Sequence, residues 1–426
     1  MKYIIILIAL ISCYNKKNIK DSIKNENLSN IDIDDKLSID NTLENIKLPP
    51  KAINNDLHNS DNVNSSVENI KYNNKNQINK YKLYSVGHRG KYVKPSILIN
   101  DQFMYVSDNN ILKSYNLNNL NDVLWSKNIR SSESNKIFPY GGMLYDNNVI
   151  YLTAGHRDII AIDAMGGREI WRKSLNNIVR STPVINDNML LISTIDNSLY
   201  VLNKDDGKIS WKYEGLGGEL SVFGAVSPFI YDGIIILPTS SGQILALSIN
   251  GDVIWDIDLS FDKSIIEGFT FSNIDITPIV KDDKIFISGN MGALYAIDLY
   301  SGQILWKQNL KNIKSFWVAD NYLYVIDNNK LYAININNGS VKWFNDLDEI
   351  YNVEGSKKNK KYIYYGPIIV NDELLVVSNK GFIAKISPYD GSKISVYNVT
   401  DNVIDHPIVT TDSIYLINHN SLIVIK

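Results

Sequence analysis

The stretch AIDLYSGQILW, residues 296–306, reads as the end of one strand, a tight turn and the start of another, and the chain repeats it. AIDAMGGREIW stands at 161–171, VLNKDDGKISW at 201–211 and AININNGSVKW at 333–343, with a copy one residue shorter, ALSINGDVIW, at 246–255. In each copy the tryptophan follows the glycine by four: Gly167/Trp171, Gly207/Trp211, Gly251/Trp255, Gly302/Trp306 and Gly339/Trp343. An internal repeat of this size decides the architecture before any single residue does.

Working outward from the motif, each unit opens with an apolar strand, often introduced by proline: TPVIND at 182, SPFIYD at 227, TPIVKD at 277, GPIIVN at 366 and HPIVTT at 406. Proline suits the first residue of a strand, where no ladder N–H is needed. A polar two-residue turn follows, such as Asp187-Asn188 or Asp282-Asp283, then a β-branched strand such as KIFISGN, then a third strand such as ALYAID. The tryptophan strand closes a four-stranded antiparallel meander. Pro183 to Trp211 and Pro278 to Trp306 are each 28 residues, and Pro228 to Trp255 is 27. Units fall at 94–129, 141–175, 180–215, 224–259, 275–310, 314–347 and 366–399. The first ends at Trp125 with Asn121 in the glycine's place, and the seventh has Ser395 where the tryptophan is due.

The chain then ends in HPIVTTDSIYLINHNSLIVIK, enough for three strands only, and the fourth is available in KYKLYSV at 80–86. A solenoid leaves both ends exposed and needs caps. A ring closed by the N-terminal strand leaves only short edges. The expected fold is therefore all-β, an eight-bladed propeller whose last blade is completed by an N-terminal strand. Glycine supplies positive φ in the turn. Tryptophan buries a large area between blades while its indole N–H reaches a backbone carbonyl. The small residue six before the glycine (Ala161, Ala296 or Ala333) is expected to make room for the next blade's indole. Trp125, Trp171, Trp211, Trp255, Trp306 and Trp343 are thus read as blade-docking scaffold, not as a reactive site.

The 426 residues are 44% apolar, with 26 tyrosines, 7 tryptophans and a net charge of −3. Near-neutrality leaves no electrostatic footprint for nucleic acid. The single cysteine, Cys13, excludes an intramolecular disulfide and any cysteine-based metal cluster. MKYIIILIALISC opens with one basic residue and an apolar run too short to span a bilayer, which fits a signal-peptide core over 1–12. Leu10-Ile11-Ser12-Cys13 resembles the lipobox of bacterial lipoproteins, which implies lipid attachment at Cys13; the plainer reading is an ordinary signal peptide. Tyr14, not aspartate, follows the cysteine, and within the lipoproteins that favours the outer membrane. Residues 14–80 hold no Gly, Trp or Phe and are crowded with Asn, Lys, Asp and Ser. Isolated isoleucines there are not expected to offset ordering entropy. The expectation is a lipidated, disordered tether over 13–79, with at most a short helix in 30–48, reaching about 45 Å root-mean-square, and a propeller over 80–426.

Ala-x-Asp-x-x-x-Gly-x-x-x-Trp, complete at 161–171 and 296–306, resembles the docking motif of quinoprotein-like propellers. With the lipobox and eight blades, the whole resembles the BamB family of outer-membrane assembly lipoproteins. SNIDITPIVKDDKIFISGNMGALYAIDLYSGQILWKQNL (272–310) and KSFWVADNYLYVIDNNKLYAI (314–334) are especially similar to it. The resemblance covers roughly 80–426. It implies a non-enzymatic scaffold that binds BamA and assists insertion of nascent barrel proteins, on the periplasmic face of the outer membrane. It also implies partner contacts in the loops EGLGGELSVFG (214–224) and SFDKSIIEGFTFSNID (260–275), carried by Leu216, Glu219, Leu220 and Asp275, with Arg180 as a further candidate contact. Each has a plain structural reading: Leu216 and Leu220 folded onto the rim, Asp275 bonded to turn amides, Arg180 in an ion pair. Phe261, Phe269 and Phe271 make the second loop unusually apolar, so it is either tucked down or a docking surface.

Chemistry is scarce. His58, His88, His156, His406 and His419 show no metal-ligand spacing. GHRG at 87–90 and GHRD at 155–158 read best as rim structure, and no nucleophile elbow, phosphate loop or His-Glu-x-x-His is present. Quinoprotein dehydrogenases carry a vicinal cysteine pair and calcium ligands, which this chain cannot supply. No cofactor and no metal are expected. The competing reading is a propeller lipoprotein that binds a carbohydrate, peptide or other envelope component in its central funnel, with a quinone-dependent enzyme a distant third.

Overall fold

Prolines and paired Asx residues punctuate the chain as the sequence suggests. Pro95, Pro183, Pro228, Pro278 and Pro407 each stand one residue before a strand. Pro367 differs: its strand begins earlier, at Tyr364, and the proline sits in a register irregularity between Tyr365 and Ile368, where the ladder asks for no N–H. The turns that follow the first strands hold positive φ on Asn147-Asn148, Asp282-Asp283 and Asn371-Asp372. Two consecutive positive φ values match the right-handed twist of a tight hairpin, and Asn and Asp tolerate them better than other side chains.

The computed structural model describes residues 38–54, 58–59, 67–75, 77–84, 95–108, 110–130, 141–154, 157–179, 181–215, 227–259, 278–288, 292–310, 312–351 and 362–426. They form eight antiparallel sheets at 96–128, 142–174, 184–213, 229–258, 279–308, 313–346, 364–398 and 408–425 with 78–81, here called blades one to eight. These are the blades of an eight-bladed β-propeller. The first strands of neighbouring blades adjoin, as Ile313–Ala319 does Tyr364–Val370, so they form the inner wall. The tryptophan strands are outermost and expose residues such as Leu124, Ile254 and Leu305. Blade eight is closed by Ile78–Tyr81, which pairs antiparallel with Ser421–Ile425 from Ile78↔Ile425 to Tyr81↔Leu422. The closing strand begins two residues before the expected KYKLYSV.

The core is a set of apolar layers between blades. Tyr105 and Leu112 of blade one meet Met143 and Ile160 of blade two. Leu191 and Val201 of blade three meet Ile235 and Leu245 of blade four. Leu83 and Tyr84, just after the closing strand, fill the layer between blades eight and one.

Six junctions share one device. The indole N–H groups of Trp125, Trp171, Trp255, Trp306 and Trp343 donate to Ala164, Lys204, Leu299, Ile336 and Pro388 O, each in the following blade, at 2.9–3.0 Å. The six-membered ring of each indole, and that of Trp211, lies on the turn glycine of that following blade: Gly167, Gly207, Gly251, Gly302, Gly339 and Gly391. The indole therefore comes from the preceding blade. Ala161, Ala296 and Ala333 are instead cross-strand partners of their own blade's Trp171, Trp306 and Trp343. Asn121 is not a turn residue either. Blade one turns at Leu117-Asn118, and Asn121 lies inside the strand Asn119–Asn128. Blade eight's outer strand has no tryptophan to send to blade one, so no glycine is called for there.

The region read as tether departs most from expectation. The compact unit begins at Ile39, not at residue 80. Ile46 and Ile70 are buried in the apolar layer of blades six to eight. Residues 40–43 make a turn, Ile39 and Ala52 form isolated bridges, and 38–54 holds no helix. The physical reason is that the segment is held through its backbone and through single isoleucines against distant blades, which composition alone does not register.

Candidate functional site

In a four-stranded up-and-down blade, the turns after the first and third strands lie on one face of the ring. The turns after the second strands and the connections between blades lie on the other. The docking glycines and the Asx pairs thus share a turn face, and the interblade connections define a connection face.

The turn face carries the N-terminal segment as a strap. At blade six, Asp40 N–H donates to Val341 O at 2.8 Å, Lys342 Nζ to Leu43 O at 2.7 Å and Tyr322 OH to Glu44 O at 2.7 Å. At blade eight, Asn54 Nδ2 donates to Val409 O at 3.1 Å. The backbone of His58–Asn59 then pairs with Leu98 and Ile99 of blade one, as a fifth and innermost strand. The strap crosses a second time from Val67 to Lys75. Glu68 bridges blades five and six: its carboxylate takes Lys281 Nζ and the Asp320 N–H, and its carbonyl takes Trp317 Nε1 at 2.8 Å. Burial pulls the Lys281 ammonium down, but the Glu68 carboxylate outweighs it and the net shift is upward. Ile70 donates to Ile369 O at 3.0 Å and accepts from Asn371 N–H at 2.9 Å, pairing with the inner strand of blade seven. Asn69 Nδ2 reaches Asp372 Oδ1 at 2.7 Å, and Asn73 N–H reaches Thr411 O of blade eight at 2.8 Å. Burial raises the Tyr72 phenol to about 12. Trp317 was no part of the docking motif. Its signal in the sequence is a tryptophan on a first strand, where no other blade has one.

The connection face is where the expected partner loops belong. One connection leaves blade three after Tyr213 and enters blade four before Phe229; the next leaves blade four after Asp258 and enters blade five before Ile279. Leu216, Glu219, Leu220, Asp275 and Arg180 lie outside the described residues, as do Cys13 and the three loop phenylalanines. The structure thus places the ends of both loops on one face at consecutive junctions.

Of the two GHR motifs, 87–90 and the Gly-His of 155–158 also lie outside the described residues. Asp158 is buried and accepts Arg172 Nη1 at 2.9 Å and Ser174 Oγ at 2.6 Å, which is an ion-pair role. His406 Nδ1 accepts the Gly366 N–H at 3.2 Å, and its ring stands edge-on to Tyr365. A polar cleft between blades eight and one is lined by Asn54, Lys75, Asn100, Asp101, Thr411 and Asp412. Among the described residues no group of three or more His, Cys, Asp or Glu is placed to hold a metal ion. No helix among them is long and apolar enough to cross a membrane.

Eight blades, outer-strand tryptophans and their docking glycines define a propeller with PQQ-like repeats. The family described as outer membrane protein assembly factor BamB matches residues 109–345, and the chain belongs to that family. It is 32% identical over 296 residues to an uncharacterized protein of Rickettsia conorii, covering 68% of this chain and 70% of the relative. It is 26% identical over 279 residues to the BamB of Yersinia pestis, covering 65% and 68%. To the Escherichia coli BamB it is 25% identical over 345 residues, covering 69% and 85%. Among solved structures, BamB from Moraxella catarrhalis superposes with a TM-score of 0.63 at 19% identity, over 77% of this chain and 95% of that one. The likeness extends to a computationally designed protein, Ika8, at a TM-score of 0.59 and 12% identity. That second match is one of fold alone.

Proposed function

We propose that this protein is a non-enzymatic scaffold of the machinery that assembles β-barrel proteins into the outer membrane. The observation that carries the reading is the family match across blades one to six. In this reading the protein is anchored by lipid at Cys13 on the periplasmic face and binds the periplasmic domains of BamA. It presents the 214–224 and 260–275 loops to that partner, with Leu216, Leu220, Glu219 and Asp275 as contacts and Arg180 as a further contact. Nascent outer-membrane proteins are its indirect clients. Two observations support this placement: both loops leave the same face, and that face is the one opposite the strap. No catalytic residue, metal or cofactor enters the mechanism; the ring contributes a rigid frame that holds two loops at fixed spacing.

The test is binding of a soluble chain beginning at residue 14 to BamA periplasmic domains, beside a Leu216→Ala/Leu220→Ala/Asp275→Ala variant. Loss of at least tenfold in affinity, about 1.4 kcal/mol, with an unchanged melting temperature establishes both partner and surface. Undiminished binding by the variant moves the surface elsewhere. No binding by either protein overturns the reading in favour of a ligand in the central funnel.

A further inference from the structure

The docking device is missing at two adjacent junctions. Blade seven carries Ser395 in the tryptophan's place, and blade eight's outer strand, Ile78–Tyr81, has no tryptophan. Correspondingly, no docking glycine stands in blade eight or in the turn between the third and outer strands of blade one, which is Leu117-Asn118. Blades seven, eight and one are therefore joined without the indole that locks the other six junctions. These are also the blades at which the ring is sewn together from the two ends of the sequence.

The strap crosses both of these junctions. Tyr72 touches each side of the seven–eight junction: its N–H donates to Asn371 Oδ1 at 3.0 Å, its carbonyl accepts Asn371 Nδ2 at 2.7 Å, and its hydroxyl donates to Ile425 O at 3.3 Å. The next residue, Asn73, is already on blade eight. At the eight–one junction, Asn54 holds blade eight while His58–Asn59 pairs with blade one. The grip is specific in the way a peptide site is specific. Glu68 finds a cation and an amide, Asn69 finds a carboxylate, and Ile70 pairs through its backbone while its side chain is fully buried. Backbone pairing gives affinity and side-chain pockets give selectivity when an extended segment adds to a sheet edge.

We propose that the turn face over blades five to eight is a binding surface for one extended peptide, and that residues 67–75 of this chain are its resident ligand. The segment acts as a clasp that replaces the missing indole lock between blades seven and eight. The ring is closed by two devices: covalent continuity through the Ile78–Tyr81 strand, and this clasp laid across the seam. The surface is separate from the loops assigned to BamA and does not depend on that assignment.

The experiment uses the full chain with Glu68→Ala/Ile70→Asp/Tyr72→Ala, read by amide hydrogen exchange, which reports local opening unit by unit. Exchange is expected to quicken at least tenfold at Asp320 and Asn371, whose N–H groups donate to the strap, and at Asn73, whose N–H donates to Thr411 O of blade eight. Leu191 in blade three and Leu247 in blade four keep their protection. A synthetic peptide of residues 64–76, added in excess, is expected to restore protection at Asn371 in the variant and to leave the wild-type chain unchanged. Exchange that quickens evenly around the ring, or nowhere, overturns the clasp; selective loosening without peptide rescue overturns the binding surface. If the triple variant does not fold, Ile70→Ala is read in the same way, and a failure of that single change to loosen blades seven and eight selectively overturns the proposal.

Discussion

Gly167 lies so close beneath Trp125 that a Cβ on the glycine would stand 2.6 Å from the indole. The glycine is needed twice, for a φ of +69° and for the absence of a side chain. Gly302 under Trp255 repeats both demands, with a φ of +71° and a Cβ distance of 2.7 Å. Gly233, in the first turn of blade four, makes only the first: φ is +73° and nothing lies within 4 Å. Gly233→Ala is therefore expected to cost about 1–2 kcal/mol, the price of a left-handed alanine. Gly302→Ala adds a collision with a packed ring and is expected to cost roughly 1–3 kcal/mol more. Urea unfolding midpoints at constant m separate the two; equal losses would show that the indole yields freely.

Charge across the first junction gives a pH dependence. Glu169 accepts both Arg172 Nε and Nη2, at 3.1 and 2.9 Å, and Lys127 of blade one stands 3.8 Å away. The Arg172 hydrogen bonds hold its carboxyl below the usual carboxylate range, against the opposing effect of burial. A carboxyl more acidic in the folded state stabilises the fold above its unfolded value, near 4.3 for glutamate. That contribution is lost as pH falls through the lower folded value. Glu169→Gln is expected to be weaker than wild type at pH 7 by at most about 1 kcal/mol, and the gap is expected to close as the pH falls below the usual carboxylate range and the glutamate protonates. A difference between the two that persists undiminished in acid would mean the side chain acts by packing instead.

The ring was legible because its determinants are local and repeated. Glycine at one position and tryptophan four later set the turn and outer strand, and the three-strand C-terminus demanded a fourth from elsewhere. The direction of docking was not legible. Trp125 and Gly167 are 42 residues apart, and the repeat looks the same whether the indole goes forward or back. Gly391 shows the correct rule: its own blade has no tryptophan, yet it receives Trp343 from the blade before. The strap was illegible for a different reason. Ile70 sits among Asn, Lys, Glu and Ser with no period of two or 3.6, and its partners Ile369 and Asn371 are about three hundred residues away. The proposed partner residues at 216–220 and 275 were named through family resemblance, and nothing in their own spacing singles them out.

Lipidation is a prediction about one atom, the sulfur of Cys13. Acyl chains contribute about 0.8 kcal/mol per buried methylene, so two or more make a lasting anchor. Cys13→Ser in the full chain, expressed in a Gram-negative host, is expected to abolish incorporation of labelled palmitate. It should also move the protein from the membrane fraction to the soluble one. A serine variant that stays with the membrane would place the anchor outside this residue.

The N-terminal contributions to the ring are separable by where the chain begins. A chain starting at residue 77 keeps the closing strand Ile78–Tyr81 but loses the strap; one starting at residue 82 loses both. Without Ile78–Tyr81, the strand Ser421–Ile425 becomes an open edge of Leu, Ile and Val, a ready template for another chain. The expected order of urea midpoints is full chain, then 77-start, then 82-start, with the larger drop at the second step, because that step removes a whole ladder. The 82-start chain is further expected to self-associate in sedimentation velocity, with the other two monomeric. Equal stability and equal monomer content for the 77-start and 82-start chains would mean that blade eight stands without its fourth strand, and closure of the ring would have to rest on the layer of Leu83 and Tyr84 against Tyr415 and Ile97 alone.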